Sequence, residues 1–245
     1  MKVVSTIEAR MSSTRLPGKV LRPLAGKPAL EMMIERVRRS RRIHQVVVAT
    51  TVNPADDVLE QLARRLAVSC FRGSEEDVLD RVLRAARSAA ADVIVELTGD
   101  CPIIDPEVID RVIDVYLEGS YDYVSNGLHK TTYPAGMETQ VFATSVLAEV
   151  AHLTHDPADR EHVSLYIYEH PERYKLHNVE SGLPEKHRAP RLTLDTAEDY
   201  ELIAAIYEEL YPKKPAFSLD DVLRLFDRRP ELLALNAAVL DKPVR

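Results

Sequence analysis

Through its first half the chain alternates short, almost wholly apolar runs with longer stretches of helical periodicity, and that alternation leaves few folds open. The runs KVVSTI (2–7), QVVVAT (45–50), VSCF (68–71), DVIVELT (92–98) and YDYVSN (121–126) are rich in β-branched and aromatic residues. Near-continuous apolarity predicts strands buried on both faces, the habit of a parallel sheet. Between them, Leu30, Met33, Ile34 and Val37 fall at i, i+3, i+4 and i+7, and Pro28 suits a first helical turn. Val58, Leu59, Leu62 and Leu66 repeat that spacing after Asp56, a candidate N-cap; Val78, Leu79, Val82, Leu83 and Ala86 repeat it again. Val108, Ile109, Val112, Ile113 and Val115 follow Asp105 and Pro106, a strong helix start. Strand and helix in this order predict a mostly parallel, Rossmann-like α/β sheet with right-handed crossovers and helices on both faces.

From about residue 127 the rhythm changes. Strands are expected over 137–142, 173–180 and 191–196, a helix over 156–170, and further helices over 196–210, 219–227 and 230–239. The chain reads as a single domain over 1–245, with about 127–190 a small strand–helix insertion.

Charge narrows the partners. A net charge of −7 argues against a nucleic-acid coat, which needs a broad basic face, so any anion site must be local. The two cysteines, Cys70 and Cys101, form no CxxC or Cys/His cluster and read as small core residues. Glu8 and Arg10 interrupt the apolar stretch a secretory leader needs, and no run reaches 18 apolar residues. The expectation is a cytoplasmic protein with no membrane or nucleic-acid partner.

In an open parallel sheet, ligands gather beyond the carboxyl ends of the strands. The first strand empties into EARMSSTRLPGKVL (8–21), which has neither a GxGxxG fingerprint nor a P-loop. It does place Arg10, Arg15 and Lys19 within ten residues, with Ser12, Ser13 and Thr14 between them. Forked and point-charge donors of this density suit a polyphosphate; a solvated basic loop is the other reading. Gly99 and Asp100 follow the run at 92–98, and Asp195 ends the run at 191–196. Two carboxylates brought from different strands could share a magnesium ion with phosphate oxygens, or each could cap the helix that follows.

The segments EARMSSTRLPGKVL, VVVATTVNPADD, FRGSEEDVLDR, ELTGDCPIIDP, REHVSLYIY and RLTLDTAEDYEL, in this order and spacing, resemble the cytidylyltransferase family. That family activates sialic acid and 3-deoxy-manno-octulosonate as CMP conjugates. The resemblance runs from residue 3 to about 205, and its nearest branch is that of spore-coat polysaccharide biosynthesis. It implies a GT-A-like nucleotidyltransferase sheet, CTP as donor, an acidic sugar or related hydroxyl compound as acceptor, and Mg2+. Carried over by position, Arg10, Lys19 and Asp100 are the catalytic residues, with Asp100 and Asp195 holding the metal. Ala9, Ser13, Arg15, Thr50, Thr51, Asn53, Ser74, Asp77, Thr98 and Gly99 join Arg10 and Lys19 around the nucleotide. Tyr133, Gly136, Glu138, Arg160, Glu161 and His162 fall where the acceptor is expected, and a homodimer through the 127–190 region is implied. Glu8 departs from the pattern, standing where the family more often has Gln or Pro. A glycosyltransferase using a nucleotide sugar, or a non-catalytic nucleotide-binding relative, are the alternatives; Asp100 lacks the DxD partner of the first.

Overall fold

In the computed structural model, residues 1–128 and 130–240 are described. Strands β1 (Val3–Glu8), β2 (Pro23–Leu24), β3 (Lys27–Pro28), β4 (Gln45–Thr51), β5 (Ser69–Gly73), β6 (Val93–Thr98), β7 (Tyr123–Ser125), β8 (Gln140–Ala143) and β9 (Leu176–Asn178) alternate, among the described residues, with nine α-helices. These are α1 (Ala29–Val37), α2 (Asp57–Arg65), α3 (Val78–Ser88), α4 (Pro106–Glu118), α5 (Thr144–Leu153), α6 (Pro157–Glu161), α7 (Leu165–Glu169), α8 (Ala197–Leu210) and α9 (Leu219–Arg228). Seven strands form one sheet in the order β5-β4-β1-β6-β8-β7-β9, while β2 and β3 make a separate two-residue ribbon. β5, β4, β1 and β6 run parallel, β8 is antiparallel to both neighbours, and β9 is parallel to β7. The segment after residue 127 thus lengthens the main sheet.

The apolar runs pack as two layers around the sheet. Ile7, Val48 and Leu97 meet Leu30 and Ile34 of α1, Leu59 of α2 and Ile109 of α4. Val4, Val47, Ile94, Tyr123 and Phe142 meet Leu79 of α3, Leu147 of α5 and Ile167 of α7. A third cluster joins α8 and α9 to Met32 and Val108, with Leu192 and Leu194 at its centre.

Several expected elements differ. The segment 191–196 is not a strand: only Arg191 makes a bridge, to Ala135, because the next residues turn their polar groups to Asp100 and Asp199. The helix expected over 156–170 breaks into α6 and α7 at His162 (φ −106°, ψ 73°), where Ser164 turns in to bond Gln140 on the sheet. The helix expected over 230–239 is a 3-10 turn at Pro230–Ala234. Val58, assigned to the apolar stripe of α2, is exposed. Tyr168 lies against Tyr123 and Tyr166 stacks on His170, so both tyrosines are engaged within their own chain.

Candidate active site

The 8–21 loop is folded back on itself beyond the end of β1. Gly18 donates its N–H to Met11 O (3.0 Å) at φ +68°, a left-handed turn that other residues adopt only with strain. Asp56 does not cap α2: it is 1% exposed, and its carboxylate accepts from the Met11 N–H (2.7 Å) and the Thr51 hydroxyl. Ser12 and Asn53 both donate to Glu75, and Arg10 pairs with it at 3.5 Å. The loop is therefore tied to the ends of β4 and β5, and Lys19 begins a short 3-10 turn that points back over the sheet.

Gly99 brings the end of β6 against β1. Its N–H bonds Glu8 O at 2.8 Å, and a Cβ there would sit 2.5 Å from that oxygen. Asp100 O in turn accepts from Leu194 N (2.7 Å), drawing the 191–196 segment alongside. Lys19 Nζ then lies between two carboxylates, 2.9 Å from Asp100 Oδ2 and 2.8 Å from Asp195 Oδ1. The other oxygen of Asp195 meets Arg15 (2.9 Å) and Arg191 (2.6 Å). Thr196, not Asp195, is the N-cap of α8, in a reciprocal capping box with Asp199.

Electrostatics follow from this burial. For Asp100, desolvation pushes the carboxyl up, but Lys19 outweighs it and holds it below the ordinary range. For Lys19, burial pulls the ammonium down, and Asp100 and Asp195 more than compensate. Glu8 behaves oppositely: burial pushes it up, Arg81 pulls it back and Asp100 pushes it further, to about 8. Glu96, 4% exposed one step along the same face, is raised by burial and then by Glu8.

A cleft of about 330 Å³ opens here. It brings together Ala9, Arg10, Ser13, Arg15 and Lys19 from the loop with Thr98, Gly99 and Asp100 from the end of β6. Asp195, Glu161, His162 and Glu8 complete the part that carries chemistry. A neighbouring cleft of about 510 Å³ holds Ser74, Asp77 and Arg160, sharing Arg10 and Glu161 with the first. There Asp77 caps α3 and takes the Arg160 guanidinium.

Other expected residues lie elsewhere. Thr50 is buried within the sheet, and Arg72 closes the end of β4 by bonding Thr51 O and Asn53 O, both at 2.8 Å. Asn53 caps the turn at Pro54–Asp56. Tyr133 is a core residue whose hydroxyl accepts from Arg111 at 3.3 Å, and Gly136 is pressed against the Leu192 backbone. Glu138 takes the Gly136 N–H and lines a separate cavity of about 290 Å³ with Gln140 and Ser125. The sequence reading points to neither Arg191 nor Arg81, and it offers Asp56 only as a helix cap. The Arg191–Asp195 spacing is a visible signal only once 191–196 is known to lie beside Asp100.

Two carboxylates sharing one cation form a donor set of hard oxygens, which suits magnesium completed by phosphate oxygens and water. Among the described residues no group of three or more His, Cys, Asp or Glu is gathered for a metal. The pair, which here shares the Lys19 ammonium, is a donor set that fits such an ion.

A model of the cytidylyltransferase family matches residues 4–219. The chain belongs to the cytidylyltransferase family. It is 37% identical over 238 residues to the spore coat polysaccharide biosynthesis protein SpsF of Bacillus subtilis, covering 94% of this chain and 95% of that one. A solved cytidylyltransferase from Leptospira borgpetersenii superposes with a TM-score of 0.89 at 35% identity, over 95% of this chain and 97% of that one. A CMP:2-keto-3-deoxy-manno-octonic acid synthetase complexed with CTP shares the fold, with a TM-score of 0.64 at 19% identity over 86% of this chain and 100% of the other. As a cytidylyltransferase, this chain is a nucleotidyltransferase enzyme. None of the helices among the described residues is long and apolar enough to cross a membrane.

Proposed function

We propose that this cytidylyltransferase transfers CMP from CTP to a hydroxyl of a small sugar-like acceptor, releases pyrophosphate, and serves surface-polysaccharide synthesis in the cytoplasm. One observation carries the reading: Lys19 and Arg15 stand directly over Asp100 and Asp195 at the carboxyl end of the sheet. Arg10, Arg15 and Lys19 grip the triphosphate and neutralise the charge that grows on the departing pyrophosphate. The acceptor oxygen forms a bond to the α-phosphorus as the α–β bridging P–O bond breaks, and the hydroxyl proton leaves to solvent or a neighbouring base. Such a reaction asks the protein mainly for positioning and charge neutralisation. Asp100 and Asp195 would hold Mg2+, which supplies Lewis-acid polarisation of the phosphate when bound. His162 faces the cleft, but a lone imidazole with no orienting carboxylate is not required for the step.

The test is pyrophosphate release with each nucleoside triphosphate in turn, with and without magnesium. CTP-dependent release that is lost in Asp100→Ala supports the reading. Sugar transfer from a nucleotide sugar, without pyrophosphate, overturns it. A homodimer through residues 127–190 belongs to the same proposal, and sedimentation of the free protein checks it.

A further inference from the structure

The segment that carries Asp195 pairs with another strand only through Arg191, so the sheet alone does not fix where that carboxylate points. Its backbone is placed by Leu192 N on Ala135 O (2.8 Å) and Leu194 N on Asp100 O (2.7 Å). The side chain is set by a different set of contacts. Asp195 Oδ2 is held by Arg15 (2.9 Å) and Arg191 (2.6 Å). Oδ1 is thereby left for the point it shares with Asp100 Oδ2, now filled by the Lys19 ammonium.

The two arginines are not equivalent. The Arg15 side chain is 30% exposed and belongs to the triphosphate grip, so a nucleotide competes with Asp195 for it. The Arg191 side chain is 11% exposed and is anchored a second time. Its Nε lies 3.2 Å from Asp199 Oδ1 and 3.4 Å from Asp199 Oδ2, on a fully buried carboxylate. Asp199 Oδ2 also takes the N–H groups of Asp195 (3.0 Å) and Thr196 (3.1 Å). Guanidinium and backbone therefore hang on one buried hub.

The hub is closed from the far end of the chain. Asn236 Nδ2 donates to Asp199 Oδ1 (2.8 Å) and to Arg191 O (3.0 Å). An amide nitrogen carries two N–H groups, and these two contacts use both. Asn236 is 5% exposed and follows the Pro230–Ala234 turn, whose Leu232 packs in the apolar cluster with Leu192 and Leu194. It lies well past residue 205, where the family resemblance stops, yet its partners are 37 and 45 residues earlier in the chain. An asparagine serving only its own turn would bond within that turn.

We propose that Asn236 is a positioning residue for the transfer: it secures the Arg191–Asp199 pair, which holds Asp195 Oδ2 and so presents Oδ1 to the divalent cation. The inference rests on the reading of Asp100 and Asp195 as the residues that hold that cation. Groups standing behind a ligand fix its orientation, and their loss weakens the bound ion even where the fold survives. Without the amide, Arg191 O and Asp199 Oδ1 each lose a buried donor. The guanidinium is then drawn toward Asp199 and away from Asp195.

The experiment compares the whole protein with Asn236→Leu, which keeps much of the side-chain volume and removes both N–H groups. Calorimetry reads the affinity for α,β-methylene-CTP, a non-reacting analogue, with saturating magnesium and with the metal chelated. In the wild type magnesium should tighten the analogue about tenfold or more; Asn236→Leu should lose most of that gain while its metal-free affinity stays within about twofold. Leu223→Ala on α9, in the same apolar cluster, is the control for a purely structural loss. It should lower the urea midpoint and leave the magnesium gain unchanged. If Asn236→Leu does not fold, Asn236→Ala decides by the same measurements. A full magnesium gain in the Asn236 variant overturns the inference alone, as does an equal loss with and without metal. A wild type that magnesium does not tighten, or that does not bind the analogue, overturns the reading of the two aspartates and this inference with it.

Discussion

At the same level of the same strands, the two faces of the sheet are chemically unlike. Toward α1, α2 and α4 the strands present Val95, Val141 and Val124 in one row, then Ile7 and Leu97 in the next. Toward α3, α5 and α7 the residues one position away are Glu96, Gln140 and Ser125, then Glu8 and Thr98. Apart from Ser5, which sits beside Val95 in the first of these rows, the first face stays apolar to the end of β1 and β6, where helices cover it. The second loses its helical cover where the cleft begins, and its side chains turn polar there. A strand buried on both faces has no reason to alternate; alternation that appears only in its last residues reports that one face has met a cavity.

The largest expected effect is at the boundary between the faces, where Asp100 leaves β6. Asp100→Ala removes one of the two carboxylates over Lys19 and should lower CTP-dependent pyrophosphate release by about a thousandfold or more, on the scale of losing a charge-stabilising group. Circular dichroism should show an unchanged fold. Retention of magnesium-dependent turnover in this variant would sink the assignment. Lys19→Met sharpens the same point without activity: free of its ammonium, the carboxylate pair should bind Mn2+ about tenfold more tightly in the absence of nucleotide, read by electron paramagnetic resonance.

The polar face also makes stability depend on pH. Glu8 titrates near 8 in the folded chain against an ordinary 4.5, so the native state keeps a proton that the unfolded chain has already lost. Stability must therefore fall as pH rises from about 4.5 to about 8, and level off above it. The loss should be on the order of 3 kcal/mol, once screening at the open edge of the cleft is discounted. Urea midpoints across this range should slope downward in the wild type and flatten in Glu8→Gln. A wild-type midpoint that rises with pH would contradict the burial argument.

Glu96 tests the contrast between the faces more mildly. Its neighbours Val95 and Leu97 are held by the core, whereas its own carboxyl is buried with one oxygen unpartnered. Glu96→Leu should raise the unfolding free energy by about 1–3 kcal/mol, because an unmet buried polar group is replaced by apolar contact. Leu97→Glu, one residue along and facing the other way, should unfold the protein.

Much of the parallel half of the sheet was legible because period-2 and period-3.6 signals are local. β1, β4, β5 and β6 lie within a residue or two of the expected runs, and Arg10, Arg15, Lys19, Asp100 and Asp195 do converge. What the sequence hid is long-range. RLTLDT has the composition of a strand, yet its shape is set by Asp100 O and by the Asp199 carboxylate. Asp56 has the position of a helix cap, yet one of its oxygens is taken by the Met11 N–H of a loop 45 residues earlier and the other by the Thr51 hydroxyl. DPADREHVSLYIYEH has unbroken helical character, and its break at His162 comes from Ser164 reaching for Gln140 across the sheet. In each case a side chain that local rules assign to one partner is claimed by a partner that only the fold supplies.

That break bears on the smallest expected effect. His162 is the imidazole at the cleft, and it ends α6 instead of sitting in mid-helix, so its ring is carried over the polar face by the backbone turn. A general base of full weight contributes about a hundredfold or more and needs a partner to fix its tautomer. With positioning and charge neutralisation carrying the transfer, His162→Asn should lower kcat by less than about tenfold and leave KM for CTP within twofold. A hundredfold fall in kcat, with a pH–rate limb that disappears in the variant, would instead make the imidazole the acceptor's base and move the chemical centre from the aspartates to the turn between α6 and α7.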